Sequence, residues 1–98
     1  MKYVIDGLTR YAENPSGFKV ENYDAKKKEI LLEYMKSFEV HGTCGYIYDC
    51  KTGKEVKITN SFYDDNEYGW SKQDIYHIEK YNAAVDPKFI EHIEKKMA

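Results

Sequence analysis

The sequence predicts an α+β fold in a single domain spanning residues 1–98. Three observations lead there. Apolar residues recur at helical spacing before residue 38, the period changes to two from Glu39, and two helix-start signatures occupy the last third of the chain. The expected architecture is a small antiparallel β-hairpin covered on one face by N-terminal helices and a C-terminal helix pair. A third short strand near Tyr68 is an open addition to it.

Taking the elements in order, residues 2–13 carry Val4, Leu8 and Tyr11, with Ile5 and Ala12 flanking, which predicts a first helix. Gly7 weakens that expectation, and Pro15 ends the segment. Residues 24–38 predict a stronger helix, with Asp24 as N-cap and a stripe of Leu31, Tyr34, Met35 and Phe38.

The hairpin comes next, with Val56, Ile58 and Phe62 expected on one face of its second strand and Lys57, Thr59 and Ser61 on the other. A loop from Cys50 to Gly53 pairs Ile47 with Val56, whereas a loop from Lys51 to Gly53 pairs Tyr48 with Val56. One residue of register exchanges the two faces. The first is favoured because Asp49 can then accept hydrogen bonds from the turn amides. It sets Tyr46 and Tyr48 on one face with Lys57 and Glu55.

Two helices close the chain. Ser71 and Asp74 have capping-box spacing, and Trp70 and Ile75 stand at the two positions of a hydrophobic staple. Asp86 repeats the N-cap with Pro87 at the first helical position, and Val85 and Ile90 repeat the staple. The short connection between the two helices predicts that they pack as a corner or hairpin.

Composition excludes several classes of function. A chain that is 42% hydrophobic and 33% charged is globular rather than disordered. The net charge of −2 gives no basic field for nucleic acid. No stretch approaches the roughly 18 apolar residues of a membrane span, and no secretory leader is visible, so a cytoplasmic location with no membrane partner is expected. Cys44 and Cys50 on one strand would lie about 20 Å apart, beyond the reach of about 7 Å for a disulfide. Two reduced thiols are expected.

No motif fixes an activity. Asp64-Asp65-Asn66-Glu67 suggests a calcium loop, but started at Asp64 the fifth position is Tyr68 and the twelfth is Ile75, so two ligands of an EF-hand are absent. No metal site and no cofactor are expected. His77 and His92 read as half-exposed helix flanks, and no activated nucleophile is visible. The chain is therefore not expected to be an enzyme. A small metal- or thiol-dependent enzyme using His77, Asp74 and His92 or Cys44 stays the least favoured alternative.

The positive indication is charge distribution. Residues 64–86 hold six acids and two lysines, a net −4, against thirteen basic and eleven acidic residues elsewhere, a net +2. Tyrosines are interleaved with those acids. Acidic residues among aromatics suit docking on a protein with a basic surface. The candidate partner-binding residues are Tyr63, Asp64, Asp65, Glu67, Tyr68 and Tyr76. The leading expectation is a small cytoplasmic interaction protein: a regulator, adaptor or inhibitor that binds a macromolecular partner. One version is encoded by a mobile element and directed at a host nucleic-acid-handling or defence complex. The alternative is a nucleic-acid-binding module in which Lys26, Lys27, Lys28 and Lys57 meet phosphate and Tyr46 and Tyr48 stack on bases.

Overall fold

The computed structural model describes residues 1–11 and 13–97. The fold is α+β. Four strands, β1 (Lys2–Tyr3), β2 (Gly42–Asp49), β3 (Lys54–Asp64) and β4 (Tyr68–Ser71), form one mixed sheet in the order β1-β4-β3-β2. The helices are α1 (Asp6–Thr9), α2 (Ala25–Lys36), α3 (Lys72–Tyr81) and α4 (Pro87–Met97).

The first segment differs from its predicted helix. Lys2 and Tyr3 pair in parallel with Tyr68 and Gly69, the Val4 amide donates to the Gly69 carbonyl at 3.2 Å, and only one turn of helix follows. A segment containing Gly7 has little helical propensity to lose, and the open edge of β4 offers its backbone partners. Val4 and Leu8 are buried nonetheless. Ala12, part of the expected stripe, lies outside the described residues.

Helix α2 begins as read: the Asp24 carboxylate accepts from the Lys27 amide at 3.4 Å. Leu31 and Met35 are buried, and the Met35 carbonyl accepts from the Trp70 indole at 3.0 Å. Trp70 is 1% exposed, Phe89 is fully buried, and both join Met35, Ile75 and Ile93 in one core.

Strand β2 pairs with β3 in the favoured register, with Ile47 opposite Val56 and Asp49 opposite Lys54. The Asp49 carboxylate accepts from the Lys51 and Thr52 amides at 2.8 and 3.0 Å. Gly53 closes the turn at φ +70°, a left-handed conformation that glycine adopts without strain. Gly53→Ala is expected to cost about 1 kcal/mol, or roughly 4–8 °C of melting temperature for a domain this small. A thermal melt checks it, with Gly53→Asn expected to lose less.

The regular alternation predicted for the hairpin does not persist. Register shifts on either side of Tyr46 pair it with Thr59 rather than Lys57. Gly45 takes φ +65° there, and such bulges bend the strand and re-aim side chains. Ile58 is left 44% exposed in the middle of β3.

The third strand near Tyr68 exists, as β4, and leads directly into α3. The two last helices do not form a simple hairpin. Their connection is extended and bonded to residues 19–21: Val20 bridges Ala83, and the Ala84 amide donates to the Lys19 carbonyl at 2.7 Å. Helix α2 packs against both α3 and α4. Asn82 ends α3 in the left-handed conformation at φ 56°.

Candidate functional site

Two buried carboxylates engage the hydroxyls of three of the ten tyrosines. Asp49, at the end of β2, receives the two turn amides on Oδ1 and the hydroxyls of Tyr76 and Tyr81 on Oδ2, at 2.6 and 2.7 Å. Asp65, in the β3–β4 turn, repeats the arrangement. Its Oδ1 accepts from the Glu67 and Tyr68 amides at 3.0 and 2.7 Å, and its Oδ2 lies 2.6 Å from both the Tyr34 hydroxyl and His92 Nε2. Each carboxylate therefore folds its own turn through backbone amides and fastens helices to that turn through side chains. Burial alone would raise both acids, but these hydrogen bonds outweigh it and hold each below the usual carboxylate range. The Tyr34 phenol moves up, through burial and its bond to Asp65.

The residues expected to meet a basic partner therefore separate. Tyr68 is 3% exposed and packs on Phe89 and His92 in the core. Asp65 is enclosed and fully bonded. Tyr76 gives its hydroxyl to Asp49. Asp64 caps the Asn66 amide at 3.1 Å and lies 3.2 Å from His41. Glu67 is exposed, 3.3 Å from His92 Nδ1. Tyr63 stacks on Trp70, with ring centroids 6.5 Å apart. The six do not share one exposed face, because the turn needed carboxylates and the core needed rings.

The nucleic-acid set also divides between elements. Lys26, Lys27 and Lys28 begin α2, where Lys26 pairs with Glu29 and Lys28 donates to the Glu79 carbonyl at 3.1 Å. Tyr46, Tyr48 and Lys57 lie on the hairpin. Lys57 sits 5.4 Å from the Tyr46 ring centroid but also 3.5 Å from Glu55.

Neither helix histidine is half-exposed. His77 is fully buried; its Nδ1–H donates to the Gln73 carbonyl at 2.7 Å and its Nε2 accepts from the Cys50 amide at 3.1 Å. Burial pushes its pKa down, consistent with this neutral form. His92 belongs to the Asp65 hub, so the two do not meet. Cys44 and Cys50 are free thiols, and burial, aided by Asp49, pushes the Cys50 thiol up, away from the reactive thiolate. Among the described residues no group of three or more His, Cys, Asp or Glu side chains is arranged to hold a metal. Among them, too, no helix is long and apolar enough to cross a membrane.

A third buried acid behaves differently. Asp74 accepts from the Ser71 amide at 2.7 Å, as its capping position predicts, and from the Thr9 hydroxyl at 2.5 Å. Its other oxygen has no partner among the described residues. Burial pushes it from 3.8 up to about 7, despite those bonds. The folded chain thus keeps a proton that the unfolded chain releases near pH 4. The stability this contributes is full below about pH 4 and is lost as pH rises through about 7. His77 acts oppositely: its lowered pKa makes stability fall as pH drops through 6.5. Comparison with Asp74→Asn cancels the histidine. Wild type is expected to lose on the order of 2 kcal/mol relative to Asp74→Asn between about pH 5 and pH 8, from roughly 1.4 kcal/mol per unit. Urea midpoints of both proteins across that range provide the measurement, and parallel curves would refute the assignment.

What these hubs leave open is a groove between the hairpin and α3. It encloses about 580 Å³, and Ile47, Ile58, Tyr63, Ile75 and Tyr76 form its floor. Lys36 from the end of α2, with Lys72, Glu79 and Lys80 from α3, forms its rim. Ile58 reaches it because the bulged hairpin curls over α3. Gln73 and His77 hold that curl by accepting the Tyr48 and Cys50 amides at 2.9 and 3.1 Å. The groove was not legible in sequence. Its one trace was Ile58, apolar in a strand otherwise rich in polar residues. No protein-family model matches the chain, and neither a curated protein nor a solved structure matches it.

Proposed function

We propose that the chain is a small interaction protein, a regulator, adaptor or inhibitor, that acts by binding a protein partner through the groove between the hairpin and α3. The observation that carries this reading is Ile58. A β-branched apolar side chain, 44% exposed, joins Ile47 and Ile75 in the lining of an open concave surface. A single exposed isoleucine needs no explanation, but one at the centre of an apolar groove with a charged rim has the anatomy of an interface core and its surround. The volume lies within the range of about 300–1,000 Å³ typical of sites that bury a ligand's apolar groups.

The acidic turn contributes less than the sequence suggested, since Asp65 and Tyr68 are engaged in the fold. Tyr63 and Tyr76 remain part of the reading because they line the groove. Photo-crosslinking in the native cell tests it. A photoreactive side chain at the exposed rim position Lys72 is expected to give a discrete protein adduct, lost when Ile58→Lys is added. The same group at Lys26 is expected to give none. Absence of any adduct from the rim, or an adduct indifferent to Ile58→Lys, would remove the proposal.

A further inference from the structure

The rim has the opposite sign to the chain as a whole. The protein carries −2, yet the groove is bordered by three lysines and one glutamate. Lys36 and Glu79 pair with each other at 2.8 Å, which leaves Lys72 and Lys80 as the rim's charge. Lys80 lies near Asp49, at 3.8 Å, and donates to the Tyr76 hydroxyl at 3.1 Å, while its ammonium stays largely exposed. Lys72 makes no ion pair among the described residues. The two lysines of the most acidic stretch of sequence thus both stand on this rim. Of the acids in that stretch, Asp65 and Asp74 are enclosed, Asp64 lies 3.2 Å from His41, and the exposed Glu67 stands beside His92, outside the groove lining. On the floor, the Tyr63 hydroxyl makes no hydrogen bond among the described residues, so it too can take an acceptor.

Resting on the groove reading, we infer that the occupant is an acidic amphipathic segment of another protein. Its apolar side chains fill the space over Ile47, Ile58 and Ile75, and its carboxylates meet Lys72, Lys80 and the Tyr63 hydroxyl. This is helix-in-groove recognition, with anchors one helical turn apart and flanking charge that sets orientation and speeds encounter. A second copy fits poorly. Two grooves meeting about a two-fold axis would set lysine against lysine, and like charges across an interface are repulsive. A nucleic acid would find the lysines but would have to lay polar phosphates and bases over aliphatic isoleucines instead of stacking on open aromatic faces.

Selection from a random linear-peptide library on the full-length protein tests the chemistry without knowledge of the partner. Enriched peptides are expected to be net acidic with large apolar residues at i, i+3 or i+4 and i+7. Their binding should weaken at least about tenfold in Ile58→Lys and in Lys72→Glu, and should fall as salt rises. Both positions are exposed, and matching thermal melts identify any variant that has lost its fold; Ile58→Thr then replaces Ile58→Lys. Basic or uncharged winners, winners indifferent to both substitutions, or no enrichment would overturn the inference. So would displacement of the peptides by a single-stranded oligonucleotide, or groove-dependent self-association in sedimentation. An adduct from Lys72 in the cell whose contact segment is basic would leave the groove reading standing and sink this one alone.

Discussion

Asp49→Ala is expected to lower stability by about 3 kcal/mol, and Asp49→Asn by less. The Asp49 carboxylate accepts two turn amides and two tyrosine hydroxyls while almost fully buried. Hydrogen bonds to a charged group contribute roughly 1.5–3 kcal/mol each, but the donors here are partly accessible and water recovers some of that. Asparagine keeps one oxygen for the turn amides and loses the charge. Alanine loses both, so the hairpin tip and the end of α3 should loosen together. Urea denaturation gives the magnitude, and amide hydrogen exchange shows the location, with faster exchange expected in residues 49–54 and 76–81. Burial opposes ionisation of Asp49, and its four hydrogen bonds reverse that and place its folded-state pKa below the ordinary value of 3.8. Its contribution is therefore full above about pH 5 and is lost as pH falls below about 4, where the unfolded chain protonates first. Wild type should lose stability there faster than Asp49→Ala.

Asp65→Ala is expected to be comparably costly, about 3 kcal/mol or more, through a different helix. Its side chain is 2% exposed and binds Tyr34 of α2 and His92 of α4 at 2.6 Å each. Removing it strands a partly buried phenol, a histidine and two turn amides, and polar groups left unpaired away from water carry a desolvation cost. Among the described residues helix α4 has few other polar ties to the body, so exchange of its amides should rise more than that of α3. Trp70 lies 6.1 Å from Tyr34 between ring centroids, so a shift in its fluorescence is also expected. Tyr34→Phe should lose only part of the effect, since three donors to Asp65 remain. If Asp65→Ala melts within about 4 °C of wild type, which corresponds to less than about 1 kcal/mol, the hub assignment is wrong.

The two hubs differ in their relation to the groove: the Asp49 hub shares Tyr76 and Lys80 with its lining, whereas none of the residues bonded to Asp65 lines it. Neither hub presents a free acid to a partner. Of the residues that looked like an interface in the sequence, Asp65 and Tyr76 help hold helices to turns and Tyr68 packs in the core. The aliphatic position that looked like core stands at the surface. Burial alone makes this distinction, because the same phenol can bond a buried carboxylate or face a partner, and its letter in the sequence is the same in both cases.

The local signals were legible because local chemistry fixes them. Asp24, Ser71 with Asp74, and Asp86 with Pro87 mark helix starts through contacts within four residues of themselves. The Cys50–Gly53 loop and its register follow from Asp49 and a left-handed glycine within one turn. Apolar spacing on α2 identified Leu31 and Met35 as core; on α4 the helical spacing of Phe89, Ile90, Ile93 and Met97 suggests one buried stripe, of which Phe89 and Ile93 are buried and Met97 is exposed. What the tertiary structure alone decided depends on partners far along the chain. Residues 2–3 became a strand because β4, some 65 positions later, offered an unpaired edge. Asp65 and Asp49 became buried hubs because tyrosines 27 to 32 positions away reach them. Ile58 became part of a groove because bulges beside Tyr46 turned the strand, and the polar side chains of α3 held the curl. Helix caps and turns satisfy their hydrogen bonds within a few residues, so sequence alone determines them. Edges, buried carboxylates and concave surfaces are completed across the fold, so only the packed chain determines those.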